Sequence, residues 1–169
     1  MNDFLKFNKV AQTYLRELDQ YTYEQFTQKP TPDAWSLGEM YNHVIDTGYR
    51  QLAAAKECLY HPADPYKKKT AAGMIVFAFN RIPPVKAKAP GDLLELVKQP
   101  ESIDEVRERL EVFIERMKEE EPAVKRIPAD KKVEHPYFGF LNAEEWYKHI
   151  ESHFRHHLRQ KKRIEAVVL

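Results

Sequence analysis

The chain has 169 residues, of which 43% are hydrophobic and 12% aromatic. This content is enough to build one hydrophobic core, so we expect a single domain over residues 1–169. Lysine and arginine (27) nearly balance aspartate and glutamate (26), and the formal net charge is +1. A near-neutral chain argues against nucleic acid or an anionic membrane surface as a partner.

The sequence also lacks the features of an exported or membrane-spanning protein. It has no run of about 18 successive apolar residues, and its first residues do not form a basic region followed by an apolar stretch. We therefore expect a cytoplasmic protein. The single cysteine, Cys58, excludes an internal disulfide, and we expect it to be a small buried residue in a helix without a chemical role.

Two long helices are predicted in the first part of the chain. From about Asn2 to Gln28, apolar residues recur every three or four positions, which is typical of an amphipathic helix. Prolines after Gln28 end this pattern. Ser36 and Glu39 form a capping box that predicts the start of a second helix, running to about Tyr60.

The middle of the chain is less regular. The apolar run Met74–Phe79 predicts a short helix, and the rest of residues 62–100 is expected to form a long loop that shapes a pocket at one end of the fold. A capping box of Ser102 and Glu105 then predicts a third long helix, which we expect to end at Pro122.

The last long helix follows a turn that contains His135 and several aromatic residues. Asn142 and Glu145 form its capping box. Four long amphipathic helices with little recognisable strand predict an all-α fold, specifically a four-helix bundle. The short connection between the first two helices favours an antiparallel pair, and about 40 residues between the second and third allow a crossover.

Four of the seven histidines lie within nine residues of the last helix: His149, His153, His156 and His157. The positions of this helix expected to face the core are Trp146, Ile150, His153, His157, Gln160 and Ile164. Four residues correspond to about 400° of rotation and ~6 Å of rise, so His153 and His157 point the same way. Their imidazoles can therefore converge on one metal ion.

The alternative interpretation is that these histidines are solvated or hydrogen-bonded core residues, without any metal. A buried pair must lose its charge and still satisfy its ring nitrogens, which costs several kcal/mol unless metal or hydrogen bonds compensate. From the pattern alone, both interpretations remain open.

Several other kinds of site can be excluded from the spacing. The chain has no Glu-x-x-His motif of a di-metal bundle, no zincin pattern, no nucleophile elbow and no glycine-rich phosphate loop. What remains is a mononuclear site with open coordination positions, for which His43 on the second helix is the best third ligand.

Three polar residues are candidates to support such a site by hydrogen bonding: Glu39, Asp46 and Gln160. The alternative for Glu39 is that it only caps its helix, and the alternative for Asp46 is that it is solvated.

Four motifs are spread along nearly the whole chain: Trp35-Ser36-x-x-Glu39 with His43, His135-Pro136-x-Phe138-Gly139, Glu145-Trp146, and His153-x-x-His156-His157-x-x-Gln160. Together they resemble the DinB and YfiT-like superfamily. The resemblance implies an up-down-down-up four-helix bundle, frequent homodimers and a divalent metal such as Zn, Ni or Mn.

The ligands that the resemblance implies are His43, His153 and His157, the same residues that the spacing favours. The chain departs from the family at His149, where an aromatic residue is common, so His149 is an alternative ligand. Members of the family include thiol S-transferases that use bacillithiol, mycothiol or glutathione-like cofactors, proteins described as hydrolases, and many without known activity.

Three functions therefore compete, and each involves a small-molecule substrate or ligand. The first is a metal-dependent transferase that activates a low-molecular-weight thiol as cosubstrate. The second is a metal-dependent hydrolase of an amide or ester. The third is a non-catalytic stress or ligand-binding protein. The same three ligands serve the first two, so sequence does not separate them.

Overall fold

The computed structural model describes residues 2–83 and 97–169 and is mostly helical. Residues 84–96 of the predicted pocket-forming loop lie outside the described residues. In chain order the elements are α1 (Asp3–Leu18), α2 (Tyr23–Thr27), α3 (Leu37–Glu57), a 3₁₀ turn (Cys58–Tyr60), α4 (Ala71–Phe79), α5 (Ile103–Val124), β1 (Lys132–His135), β2 (Gly139–Asn142) and α6 (Ala143–Val168).

The predicted first helix is two helices, because α1 ends at Leu18 and α2 begins at Tyr23. The break comes from a capping box: Thr22 Oγ1 accepts a hydrogen bond from Gln25 N (3.2 Å), and Gln25 Oε1 accepts one from Thr22 N (2.9 Å). The prediction of a single helix up to Gln28 was therefore wrong.

The capping boxes predicted for α3 and α6 are confirmed. Ser36 Oγ accepts from Glu39 N at 3.0 Å, and Glu39 Oε2 accepts from Ser36 N at 2.9 Å. The same exchange joins Asn142 and Glu145 at 2.9 and 3.0 Å. These boxes satisfy amide groups that a helix start leaves unpaired, and so they fix where α3 and α6 begin.

Helix α5 differs from the prediction at both ends. Ser102 Oγ caps it by accepting from Glu105 N (3.0 Å), but the Glu105 carboxylate accepts from Glu101 N (2.7 Å) and does not complete the box. The helix also runs through Pro122 to Val124. Proline lacks an amide donor and its ring crowds the carbonyl four residues earlier, but the two residues after Pro122 can still finish the last turn.

A two-stranded antiparallel hairpin precedes α6, where the sequence predicted only a turn. Lys132 pairs with Asn142 and His135 with Gly139. Gly139 has φ +72°, and a Cβ there would lie 2.8 Å from the backbone nitrogen of Thr70. Only glycine meets both demands, and the tight turn holds His135 against the start of α6.

Aromatic side chains from all four long helices form the centre of the core. The ring centroids of Phe7 and Phe154 are 5.2 Å apart in an edge-on contact, and Phe113 stacks on Phe154 at 5.9 Å. Tyr14 Oη donates to the backbone oxygen of Phe154 (2.7 Å), and Tyr41 Oη donates to that of Tyr14 (3.0 Å). Both buried hydroxyls are thus satisfied.

Packing between the long helices places α3 against α6 and α5, and α1 against α5 and α6. The most extensive of these contacts joins α3 to α6.

Cys58, just after the end of α3, is buried as expected, and burial raises its pKa to about 11. Among the residues that the structure describes, every helix is too short or too polar to cross a membrane.

Candidate metal centre

Three histidines from two helices come together in the structure. His43 lies on α3, and His153 and His157 lie on α6. One ring nitrogen from each lies within 4.8 Å of the others. The long contact between α3 and α6 therefore assembles the three residues that the sequence singled out.

His153 and His157 face each other across one turn of α6. Their Nε2 atoms are 3.1 Å apart, and their ring centroids are 4.5 Å apart. Two nitrogens bound to a tetrahedral ion with bonds of about 2.0 Å would be roughly 3.3 Å apart, so the spacing suits a shared cation. His153 Nδ1 is buried and has no hydrogen-bond partner among the described residues.

Gln160 fixes the tautomer of His157. Its Oε1 lies 2.7 Å from His157 Nδ1. A carbonyl oxygen can only accept, so Nδ1 carries the proton and the Nε2 lone pair is left for a ligand bond. Gln160 thus has the supporting geometry considered for it from sequence.

His43 is oriented by an aromatic neighbour. The indole of Trp35, just before α3, lies against its ring with centroids 4.5 Å apart. The ring centroids of His157 and His153 are 4.8 and 5.3 Å from that of His43. Trp35 therefore packs against the ring of His43.

Burial lowers the pKa of each of the three imidazoles from 6.5. The pKa of His43 falls to about 4, through burial and then the charge of Arg50. That of His157 falls to about 3, through burial and then His43 and His156. For His153 burial is again the largest cause of the lowered pKa, followed by His157 and His43. The three rings are neutral at pH 7, which is the form that binds metal.

The two acids considered as supporting residues are bonded elsewhere. Glu39 is engaged in the cap of α3, and its Oε1 also lies 3.0 Å from Lys29 Nζ. Asp46 Oδ1 accepts from Arg109 Nη2 on α5 at 2.6 Å. These contacts give Glu39 the capping role considered for it from sequence, and give Asp46 an ion pair that the sequence did not indicate.

His149, the alternative ligand, lies in a neighbouring aromatic cluster and is outside the group of three. Its Nδ1 lies 3.1 Å from Ser152 Oγ, which itself donates to the His149 backbone oxygen. The rings of Phe77, Phe138 and His135 surround it at centroid distances of 5.7, 5.2 and 5.3 Å. Sequence reasoning did not connect His135 to His149, because the hairpin that brings them together was not foreseen.

The donor set fits a divalent cation. Three neutral imidazoles on packed helices offer nitrogen lone pairs, one of them oriented by Gln160, and imidazole suits ions such as zinc and nickel. The fold and the site together define a helical protein with a candidate three-histidine metal centre.

The chain belongs to the DinB superfamily, whose sequence profile matches residues 6–160. The resemblance noted from the motifs is thereby confirmed. The chain is also similar to the uncharacterized protein YuaE of Bacillus subtilis (strain 168), with 28% identity over 170 residues and 96% of each chain covered. No solved structure matches it.

Proposed function

We propose that this protein binds one divalent metal ion through His43, His153 and His157 and uses it in thiol transfer. The observation that carries the metal proposal is the convergence of one nitrogen from each ring within 4.8 Å. The Nε2 atoms of His153 and His157 are also within hydrogen-bond distance of each other, but His153 Nδ1 is buried without a partner among the described residues, which is costly.

We further propose that the single domain is an up-down-down-up four-helix bundle. Three residue pairs support parallel neighbours. Asp3 lies 4.0 Å from Lys148, at the starts of α1 and α6. Asp46 and Lys56, in order along α3, meet Arg109 and Glu120, in the same order along α5.

Antiparallel neighbours complete this arrangement. Arg107, near the start of α5, bonds Asp19 just after the end of α1. In the pair formed by α3 and α6, Cys58 just after the end of α3 lies beside Leu141, just before α6 begins. The residue order of these pairs is that expected of the proposed bundle.

The reaction we propose is attack of a low-molecular-weight thiolate on an electrophile such as an epoxide or halide, which forms a C–S bond as the C–O or C–halogen bond breaks and releases the thiol proton to solvent. A divalent ion held by three neutral ligands would keep its full charge and lower the pKa of a bound thiol, which is already near ~8.5 in free cysteine. The protein would provide three ring nitrogens as ligands, and burial keeps the three imidazoles neutral. Gln160 holds the proton of His157 on the far nitrogen.

Hydrolysis would need a general base placed to accept a proton from water. The carboxylates of Glu39 and Asp46 are the acids that sequence placed nearest to His43, and both are bonded to other groups. This arrangement favours thiol transfer over hydrolysis.

Aromatic residues next to the centre are the proposed walls for an apolar electrophile. Phe77 on α4 and Phe138 in the hairpin turn have ring centroids 6.0 Å apart, and both contact His149. The ring of His149 lies 6.3 Å from that of His153. This aromatic cluster therefore adjoins His153, and small-molecule sites are typically lined by such apolar groups.

The test is to load the purified protein with zinc, nickel or manganese and to incubate it with a thiol and a chromogenic electrophile. Bacillithiol, mycothiol, glutathione and coenzyme A are the thiols to compare, with His43→Ala as the blank. We expect a metal-dependent rate with at least one thiol. No rate above the blank with any of them would contradict thiol transfer and favour a non-catalytic binding protein.

A homodimer remains a prediction from the family resemblance. Light scattering of the full chain tests it directly, and a monomer at high micromolar concentration would contradict it.

A further inference from the structure

A basic cavity lies on the side of α6 away from the metal centre. It has a volume of about 420 Å³ and is lined by Thr13, Glu17, Arg81, Arg155, Leu158, Arg159 and Lys162. Arg155 and Arg159 each follow a centre histidine by two residues, which is about 200° around a helix. The cavity is therefore separate from the three histidines, and its chemistry does not depend on the proposed metal.

The backbone after α4 brings one of these cations into place. Asn80 has a left-handed conformation, φ 44°, which turns the chain back onto α6. Arg155 Nη2 then donates to the backbone oxygen of Asn80 (2.5 Å), and Arg159 Nη2 donates to that of Ile82 (2.9 Å). These contacts hold Arg81 beside the two arginines of α6.

The charges around the cavity are not balanced. Arg155 is paired with Glu151 (2.7 Å), and the carboxylate of Glu17 is bonded to the buried Lys161. Within residues 2–83 and 97–169, no carboxylate lies within ion-pair distance of Arg81, Arg159 or Lys162. Positive charges gathered in a concave surface raise the local concentration of anions.

Three guanidinium groups line the same cavity and repel one another, those of Arg81, Arg155 and Arg159. A bound anion would relieve the repulsion, and guanidinium groups are suited to phosphate and carboxylate oxygens.

We propose that this basic cavity binds a small organic anion that carries a phosphate group or paired carboxylates. Arg81, Arg159 and Lys162 are the cations available to its oxygens, and Leu158 offers an apolar surface to its carbon skeleton. The volume lies in the range of small-molecule sites, roughly 300–1,000 Å³. A compact ligand also agrees with the near-neutral net charge of the whole chain, +1.

Calorimetric titration of the full chain with pyrophosphate and with succinate, at constant low ionic strength, tests this site. We expect saturable binding of at least one of them, and the one that binds identifies a phosphate or a carboxylate ligand. Arg81→Gln with Lys162→Gln should weaken binding at least tenfold. Both side chains are exposed and make no side-chain hydrogen bond within the described residues, so the fold should be kept.

Two control variants distinguish binding in this cavity from a general effect of charge and from binding at the metal centre. Lys118→Gln makes the same kind of charge change on an exposed face of α5 and should alter the affinity less than twofold. His153→Ala should also leave it unchanged, because it acts on the metal centre. Absence of binding by either anion, equal affinity in the double variant, or loss of binding in His153→Ala would overturn the proposal.

Discussion

Gln160 Oε1 accepts a hydrogen bond from His157 Nδ1 at 2.7 Å, and this contact decides which nitrogen of His157 faces the other histidines. Gln160→Leu removes the acceptor. Loss of such a supporting contact typically weakens metal binding by roughly 10–100-fold, and we expect a loss in that range, measured by competition with a chelating dye. Gln160→Glu keeps an acceptor and is the matched control. Unchanged affinity in Gln160→Leu would show that Gln160 does not orient the ligand.

Gly48 allows α3 to approach two core aromatics. A Cβ at this position would lie 2.6 Å from Cζ of Phe113 and 3.2 Å from Cε2 of Phe154. Gly48→Ala gains about 1 kcal/mol in helix propensity, but overpacking costs about 1–3 kcal/mol. We expect a lower free energy of unfolding in urea denaturation.

Phe113→Leu, which replaces the aromatic ring by a smaller side chain, is the control for this clash. In that background Gly48→Ala should be much less destabilising, because the closest contact, with the Phe113 ring, is gone and only the 3.2 Å contact with Phe154 remains. If Gly48→Ala stabilises the wild-type protein, the close approach of α3 to Phe113 is not rigid.

The parts of the fold that were predicted from sequence are those fixed by local chemistry. The capping boxes of α3 and α6 depend on residues three positions apart, and the pairing of His153 with His157 depends on one helical turn. Both appear in the structure as expected. The placement of His43 beside these two residues depends on the packing of α3 against α6. From sequence it was indicated only by elimination and by family resemblance.

Other features depend on contacts between distant segments and were missed. The α1–α2 break had a local signal, the pair Thr22 and Gln25, but the apolar spacing continued across it and hid it. The hairpin has strands of four residues, too short for a clear alternation. Lys161 was not expected to be buried, because its burial depends on Glu17, 144 residues away.

Lys161 is a buried cation in the core, with a side chain only 1% exposed. It pairs with Glu17 and with Glu165 (2.6 Å). Breaking a fully buried pair typically costs about 3–5 kcal/mol. The carboxylates here are 29% and 19% exposed, so for Lys161→Met we expect a smaller loss, about 2–3 kcal/mol in urea denaturation.

The cause of that loss would be two carboxylates left without their cation. Adding Glu17→Gln and Glu165→Gln to Lys161→Met should therefore restore most of the stability. A triple variant no more stable than Lys161→Met would instead indicate that packing of the lysine stem is the main contribution.

His135 makes stability depend on pH. Burial lowers its pKa from 6.5 to about 4, so between these values the unfolded chain binds more protons than the folded one. Its contribution is therefore fully present above pH 6.5 and is lost as the pH falls toward 4. His135→Gln, which keeps an acceptor for Tyr137 N, should reduce the slope of unfolding free energy by up to about 1.4 kcal/mol per pH unit in this window.

Urea denaturation at half-unit steps from pH 4.5 to 7 measures the slope. His61→Gln is the matched control for losing one imidazole, because the His61 side chain is partly exposed and lies 3.2 Å from Glu57 outside the core. An unchanged slope in His135→Gln would mean that His135 is not held neutral by the fold.

The metal content of purified variants, by elemental analysis, tests the central claim most directly. We predict one divalent ion per chain in the wild type and in His149→Ala, and almost none in His43→Ala, His153→Ala or His157→Ala. Circular dichroism of each variant confirms that the fold is kept. Full metal content in His153→Ala and His157→Ala, together with its loss in His149→Ala, would contradict the three-histidine centre.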